Sequence, residues 1–117
     1  MVKIKICGNR TADDVRAVRG ADAIGFIVKT PESSRNITPE RAAELGKLVP
    51  PFTDKVLVTT EKKIWFLEKL VRTVRPNFLQ LHYEMEGKRL EKILDFIPQE
   101  IGLITLLSVS PDGEKTL

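Results

Sequence analysis

Short apolar runs alternate with helix-like stretches along the whole chain of 117 residues, and this alternation constrains the fold more than any other feature. Strands and helices that take turns are typical of βα units, in which parallel strands form one sheet covered by helices. The length suits a single domain with a sizeable core, spanning residues 1–117. Five strands are predicted, over Lys3–Cys7, Ala23–Val28, Lys55–Thr59, Phe78–Leu81 and Leu103–Val109.

Four helices are predicted between these strands, and two of them begin with capping signals. Thr11 precedes the first helix, with Asp14 three residues on as an acidic form of the capping box, and Gly20 is expected to end this helix as a C-terminal glycine. Thr38 followed by Pro39 is an N-cap with proline at the first helical position. The four helices are predicted over Ala12–Arg19, Pro39–Val49, Glu61–Arg75 and Lys88–Phe96.

The charge pattern and the single cysteine argue against several classes of protein. Nineteen Lys and Arg residues against 16 Asp and Glu residues give a net charge of +3, and no basic run is interleaved with aromatic residues, so nucleic acid is not an expected partner. No apolar run approaches the roughly 20 residues that cross a bilayer, so no membrane span is expected. One cysteine cannot form an internal disulfide, and the first residues do not resemble a signal peptide, which favours a cytoplasmic location.

Cys7 ends the first apolar run and is followed directly by Gly8. Active sites of α/β sheets and barrels lie at the carboxyl ends of strands, so this thiol is a candidate catalytic group. Alternation places Lys5 on the same face, roughly 6.6 Å away along the strand, where its ammonium favours the thiolate that acts as a base or nucleophile. The alternative interpretation of Cys7 is a small buried hydrophobic residue.

Polar side chains also follow the fourth and second predicted strands. His82 shares a strand face with Gln80 and is the only histidine, which leaves little from which to build a metal site. It is interpreted either as a pocket residue or as a hydrogen-bonded structural group. Arg35 lies in the loop after the second strand, where its planar guanidinium suits a carboxylate or phosphate. The alternative for Arg35 is a solvated surface side chain.

Five short motifs occur in order through about the first 82 residues. They are Lys5-Ile6-Cys7-Gly8, Gly20 to Phe26, Ser34 to Glu40, Pro50-Pro51-Phe52 and Leu79-Gln80-Leu81-His82. In this order they resemble the amino-terminal half of phosphoribosylanthranilate isomerases of tryptophan biosynthesis. The resemblance implies a (βα)8 barrel of the TIM-barrel type and an Amadori rearrangement of N-(5'-phosphoribosyl)anthranilate, with no cofactor and no metal.

The resemblance also implies roles for individual residues. Cys7 matches the general base of the family, which removes the proton from C2 of the opened sugar. Arg35 matches the arginine that holds the anthranilate carboxylate. His82 matches the histidine of the Gln-Leu-His-Gly segment and, with Gln80, is expected to contact the substrate. Tyr83 stands where the family usually has glycine.

By the same resemblance, the chain is expected to hold about the first four and a half βα units of the barrel. Asp112 matches no catalytic position, and the family's aspartate acid and phosphate-binding loops belong to later strands. We therefore expect activity only from the whole barrel, and a chain of 117 residues that is inactive alone and associates through open strand edges and an apolar inner face that includes Leu57. The alternatives are a non-catalytic half-barrel that self-associates or pairs with a carboxyl-terminal half, and a sugar-phosphate barrel enzyme of different chemistry.

Overall fold

Helices pack against one face of a parallel sheet in residues 1–106, which the computed structural model describes. The strands are β1 (Lys5–Ile6), β2 (Ala23–Val28), β3 (Asn36–Ile37), β4 (Asp54–Thr59), β5 (Phe78–Leu81) and β6 (Gly102–Thr105). The helices are α1 (Ala12–Ala17), α2 (Pro39–Gly46), α3 (Ile64–Val74) and α4 (Gly87–Phe96).

The strands follow one another across the sheet in the order β1, β2, β4, β5 and β6, and every pair is parallel. The short β3 pairs with Ile27 and Val28 at the carboxyl end of β2. Because this order never reverses, the described sheet lacks the switch point of a doubly wound fold and has the stepwise order of a barrel. The predicted α/β fold with a parallel sheet is confirmed.

The strand bounds agree closely with the sequence pattern. The bounds of β2 and β5 are those predicted, and β4 begins one residue earlier, at Asp54. The first strand is shorter than predicted, because within it only Lys5 and Ile6 have ladder partners on β2. No pattern predicts β3, since two residues are too few to show alternation. The part of the predicted fifth strand beyond residue 106 lies outside the described residues.

Both capping signals are confirmed. The backbone N–H of Asp14 donates to Thr11 Oγ1 at 3.1 Å, and the Asp14 carboxylate accepts from the backbone N–H of Thr11 at 3.2 Å. At the start of α2, the N–H of Arg41 donates to Thr38 Oγ1, also at 3.1 Å. Each bond satisfies a backbone N–H that the first turn of a helix leaves without a partner.

The expected role of Gly20 is wrong. The first helix ends at Ala17, because the N–H of Val18 bonds back to the carbonyl of Val15 at 3.3 Å and so tightens the last turn. Gly20 does not adopt a positive φ, and among the described glycines only Gly8 does, at 80°. The chain therefore leaves α1 through a tight turn rather than through a left-handed glycine.

The third helix begins later than predicted, at Ile64 rather than Glu61. The Glu61 carboxylate accepts from the backbone N–H groups of Lys62 and Lys63, at 2.9 and 3.2 Å. This local bonding offers the backbone an alternative to the helix. Arg75 ends the helix in the left-handed conformation, with φ 54°, and its N–H bonds to Val71.

The hydrophobic core lies between the sheet and the helices. Phe26, Leu57 and Leu79 pair in register across β2, β4 and β5, and all three are fully buried in this core. The expectation that Leu57 lies on the inner face is therefore wrong: side chains alternate along a strand, so Val56 and Val58 carry that face instead. Buried helix residues in the core include Val15, Ala42, Leu45, Leu67, Leu70 and Ile93.

Candidate active site

A cleft of about 420 Å³ lies on the inner face of the sheet, which is the face away from the helices, toward the carboxyl ends of the strands. It brings together four of the five side chains that the sequence predicts, namely Lys5, Cys7, Gln80 and His82. This end of a parallel barrel sheet is where functional side chains converge from several strands. The rest of the lining comes from Ile27, Thr30, Glu32, Ser33 and Val58.

The thiol of Cys7 lies directly after β1 and beside β2. A β-carbon built on Gly25 would come within 3.1 Å of Cys7 Sγ and within 3.3 Å of its Cα. That separation is shorter than ordinary van der Waals contact, so the missing side chain at Gly25 makes room for the thiol. The residue remains exposed to solvent on the cleft side.

Lys5 and Gln80 contact each other across the inner face. The Lys5 ammonium donates a hydrogen bond to Gln80 Oε1, although β2 and β4 separate the two strands. Strand alternation places both side chains on this face, as the sequence predicts. The contact fixes a positive charge in the cleft that also contains the thiol.

The pKa of the Cys7 thiol is raised above its ordinary value, because the protein atoms around the sulfur disfavour the charged form. The positive charge of Lys5 acts in the opposite direction and lowers this pKa, as does the hydrogen bond with the backbone of Gly8. Lys5 therefore acts as the sequence suggests, but burial outweighs it. The thiolate is a minor species near neutral pH and, once formed, a comparatively strong base.

Arg35 lies on the other side of Cys7, in an adjoining cleft of about 330 Å³ that includes Asp14. The guanidinium donates from Nη1 to the carbonyl of Gly8 at 3.4 Å. A β-carbon at Gly8 would fall 2.7 Å from Arg35 Cδ, so this arginine packs directly over the glycine. The structure thus places Arg35 next to the thiol but outside the larger cleft.

The carboxyl group of Asp14 is fixed at the rim of this second cleft. The backbone N–H of Arg10 donates to it at 3.0 Å, and this bond is the main reason why the pKa of Asp14 is lowered. The bonds with Thr11 and the charge of Arg35 lower it further. Asp14 therefore stays ionised beside the arginine and counters part of its charge.

Asn9 is a site residue that the sequence interpretation missed. It is almost fully buried, and its Nδ2 donates to the carbonyls of Ile6 at 3.0 Å and Gly25 at 3.1 Å. These bonds tie the turn after Cys7 to β2 and so hold the thiol in place. An asparagine two residues after a strand end, directly following a glycine, is a turn signal from which this role could have been suspected.

In residues 1–106, no group of three or more His, Cys, Asp or Glu side chains could hold a metal ion. Within the same part of the chain, no helix combines the length and the apolarity that crossing a membrane requires.

Comparison with known proteins identifies the family. A family model described as N-(5'phosphoribosyl)anthranilate (PRA) isomerase matches residues 4–117. The chain belongs to this family.

Individual phosphoribosylanthranilate isomerases are similar over nearly the whole chain. The enzyme from Halorubrum lacusprofundi is 38% identical over 115 residues, which cover 96% of this chain and 52% of that relative. A solved isomerase from Thermotoga maritima has a TM-score of 0.79 and 32% identity, covering 96% of this chain and 53% of the other. The chain therefore spans about half the length of the isomerases that it matches.

A solved isomerase with a bound ligand is similar as well. It is a phosphoribosyl anthranilate isomerase in complex with reduced 1-(o-carboxyphenylamino)-1-deoxyribulose 5-phosphate, with a TM-score of 0.78 and 33% identity. The matched region covers 96% of this chain and 56% of that protein.

Tyr83 joins two loops of the described structure. Its hydroxyl donates to the carbonyl of Glu61 at 2.9 Å. Nearby, the guanidinium of Arg89 donates to the carbonyl of Lys62. Together these bonds fix the segment before α3 to the segment around α4.

Proposed function

We propose that this chain is the amino-terminal part of a phosphoribosylanthranilate isomerase, and that the whole barrel converts N-(5'-phosphoribosyl)anthranilate to 1-(2-carboxyphenylamino)-1-deoxy-D-ribulose 5-phosphate. The observation that carries the proposal is the cleft at the strand ends, where Cys7, Lys5, Gln80 and His82 converge. Family membership supports it, as does a related isomerase that binds reduced 1-(o-carboxyphenylamino)-1-deoxyribulose 5-phosphate. The substrate is thus a sugar phosphate with an aromatic carboxylate.

In this proposal Cys7 is the general base. After the sugar ring has opened to leave a protonated C1=N imine, the thiolate removes the proton from C2. The electrons of that C–H bond form the double bond between C1 and C2, and the π electrons of C1=N return to nitrogen. The enaminol then becomes the ketose as C1 takes up a proton and the hydroxyl on C2 gives one up. Burial raises the pKa of the thiol and so makes its thiolate a stronger base, while the charge of Lys5 limits that rise. The two opposing influences on the thiol pKa thus both serve proton abstraction.

Arg35, His82 and Gln80 are proposed to contact the substrate. A guanidinium binds a carboxylate through two parallel hydrogen bonds, so Arg35 suits the anthranilate carboxylate, and it lies beside Cys7 in the adjoining cleft. His82 and Gln80 line the larger cleft together with Cys7, and we place the sugar there, within reach of the thiol. No cofactor or metal is needed for this reaction.

We further propose that the chain forms a partial barrel domain over residues 1–117, equivalent to about the first four and a half units of a (βα)8 barrel. Support comes from the stepwise strand order and from relatives about twice as long. In the described part of the chain, β1 and β6 each pair with one strand only, so both can accept further strands. Such strands, and the loops after them, would supply the general acid and the phosphate-binding site. We propose that the complete enzyme is cytoplasmic.

A second candidate is a non-catalytic half-barrel that self-associates or pairs with a carboxyl-terminal half. It is favoured by exposed apolar side chains at the other end of the inner face. Phe52 is fully exposed and Ile4 is 55% exposed, and both line one cleft with Val56 and Phe78. Apolar surface of this kind is typically covered by a partner.

The test is reconstitution. The 117-residue chain is mixed with the carboxyl-terminal half of a full-length family member, and conversion of phosphoribosylanthranilate is measured together with sedimentation. We expect an active complex that loses activity with Cys7→Ala but not with Lys47→Ala, a change at an exposed residue directly after α2. A complex without turnover would support the non-catalytic half-barrel. An active monomer of the chain alone would contradict both candidates.

A further inference from the structure

We infer that Gln80 is a positioning residue that acts on Cys7 through Lys5: its side-chain oxygen holds the Lys5 ammonium, across the inner face of the sheet, in the cleft that contains the thiol. The inference rests on the proposed function, because it matters for catalysis only if Cys7 is the base. It gives Gln80 a second role, the positioning of Lys5, in addition to the proposed contact with substrate. Gln80 and Lys5 come from strands that are 75 residues apart in sequence.

The Lys5–Gln80 hydrogen bond is a link across the sheet and not a contact between neighbours. Two strands, β2 and β4, separate the two residues. Parallel strands lie about 4.8 Å apart, so three spacings would separate β1 and β5 by about 14 Å in a flat sheet, with side chains perpendicular to it. The bond therefore depends on the inward curvature of the sheet, and it ties the two strands together over the floor of the cleft.

The residues that pair with Gln80 in register, Val58 and Ile104, have no side-chain acceptor. Gln80 pairs in register with Val58, and Val58 with Ile27, so the row beside it on the inner face is apolar. In residues 1–106, Gln80 Oε1 is the acceptor recorded for the Lys5 ammonium. Without that oxygen, the Lys5 ammonium would donate to water at the exposed side of the cleft or to another acceptor in the cleft such as Glu32.

The charge of the acceptor matters as much as its position. A neutral amide fixes the ammonium without cancelling its charge, whereas a carboxylate would neutralise it. Lys5 lowers the pKa of Cys7, and its freedom to turn toward solvent decides how much. The charged and titratable side chains that line the two clefts around the thiol are Lys5, Glu32, His82, Asp14 and Arg35.

The experiment measures the pH dependence of Cys7 alkylation by iodoacetamide in the 117-residue chain. Cys7 is the only cysteine, so the rate reports one thiol without isomerase activity being needed. We expect Gln80→Met to raise the apparent pKa by up to about 0.5, because Lys5 keeps its charge; complete loss of a unit charge roughly 6 Å away at high effective dielectric constant would raise it by about 0.5 to 1. Gln80→Asn, whose shorter amide cannot span the face, should act in the same direction.

A double-mutant cycle separates an effect of Gln80 through Lys5 from a direct effect of Gln80 on the Cys7 thiol. Lys5→Met, which removes the charge itself, should raise the thiol pKa by at least as much as Gln80→Met, and adding Gln80→Met should then change this pKa no further. Gln99→Leu, a change at the chain's other glutamine, should leave it unchanged. Circular dichroism and thermal unfolding confirm that each variant is folded at the assay temperature.

Three results would overturn the inference in a folded variant: no change in the thiol pKa with Gln80→Met, a fall in this pKa, or a rise that persists in the Lys5→Met background. The outcome is independent of the proposed function, because alkylation needs no turnover. In the reconstituted enzyme, a positioning role moves the pH profile of kcat, whereas a residue that only binds substrate changes chiefly KM.

Discussion

Cys7 Sγ occupies the space that a side chain at Gly25 would need. A β-carbon on Gly25 would approach the sulfur to 3.1 Å, and it would also crowd the Cys7 Cα and Cβ, at 3.3 and 3.4 Å. The position of the proposed base therefore depends on a glycine of the neighbouring strand as well as on the strand that carries Cys7. Gly25 therefore cannot gain a side chain without moving Cys7.

Gly25→Ala should displace the thiol by a few tenths of an ångström. We expect kcat in the reconstituted enzyme to fall by about tenfold, since a displacement of about 1 Å can cost about a hundredfold. Gly20→Ala is the matched control, because a β-carbon there would meet no atom within 4 Å. Full activity of Gly25→Ala would show that the sulfur can move without loss.

Cys7→Ala should lower kcat of the reconstituted enzyme by about 10² to 10⁴, the usual contribution of a positioned general base. The fold should be little affected, because Cys7 is exposed and carries one small side chain. Steady-state kinetics and a thermal unfolding curve measure the two effects separately. Turnover close to that of the unchanged enzyme would remove Cys7 from the role of base.

Stability should decrease at alkaline pH through the Cys7 thiol. Its pKa is higher in the folded chain than in the unfolded chain, where it is about 8.5, so the folded state binds the proton more tightly. The free energy of unfolding therefore falls as pH rises from the unfolded value toward the folded value. Urea unfolding between about pH 7 and pH 10 should show this slope, and Cys7→Ala should remove that part of it.

Arg35→Lys should weaken binding of a ligand that carries the anthranilate carboxylate by about 1 to 3 kcal/mol, the range for a charged hydrogen bond. An ammonium cannot make the two parallel bonds of a guanidinium. Arg10→Lys is the control: this nearby arginine donates to the carbonyl of Ser34 at 3.2 Å. The difference should vanish for an analogue without the carboxylate, and equal losses for both ligands would move Arg35 away from that group.

Thr38→Ala should lower the free energy of unfolding by about 1 kcal/mol, the typical cost of removing an N-cap oxygen. The lost bond is the one from the Arg41 N–H at the start of α2. Thr73→Ala on α3 is a matched control, since the Thr73 hydroxyl donates to the Lys69 carbonyl and caps no helix end. If urea unfolding gave the same change in the free energy of unfolding for both variants, the cost would come from losing a threonine side chain, and the cap would contribute nothing further.

Much of the fold follows from local pattern. The apolar runs that became β2 and β5 have distinct ends, and the Thr38-Pro39 pair marks the start of α2 without ambiguity. The failures also have local causes. Leu57 was placed on the wrong face because apolar residues occupy both faces of β4, so alternation alone cannot tell which face meets the helices.

The sequence by itself determined which residues could carry chemistry: Cys7, Arg35 and His82 stand at strand ends or in the loops after them, and strand alternation puts Lys5 and Gln80 on inward faces. Only the tertiary structure decided how these groups meet. The contact between Lys5 and Gln80 depends on sheet curvature, and the rise in the Cys7 pKa depends on how closely other atoms surround the sulfur. Both are properties of packing between distant segments, and local sequence does not record them.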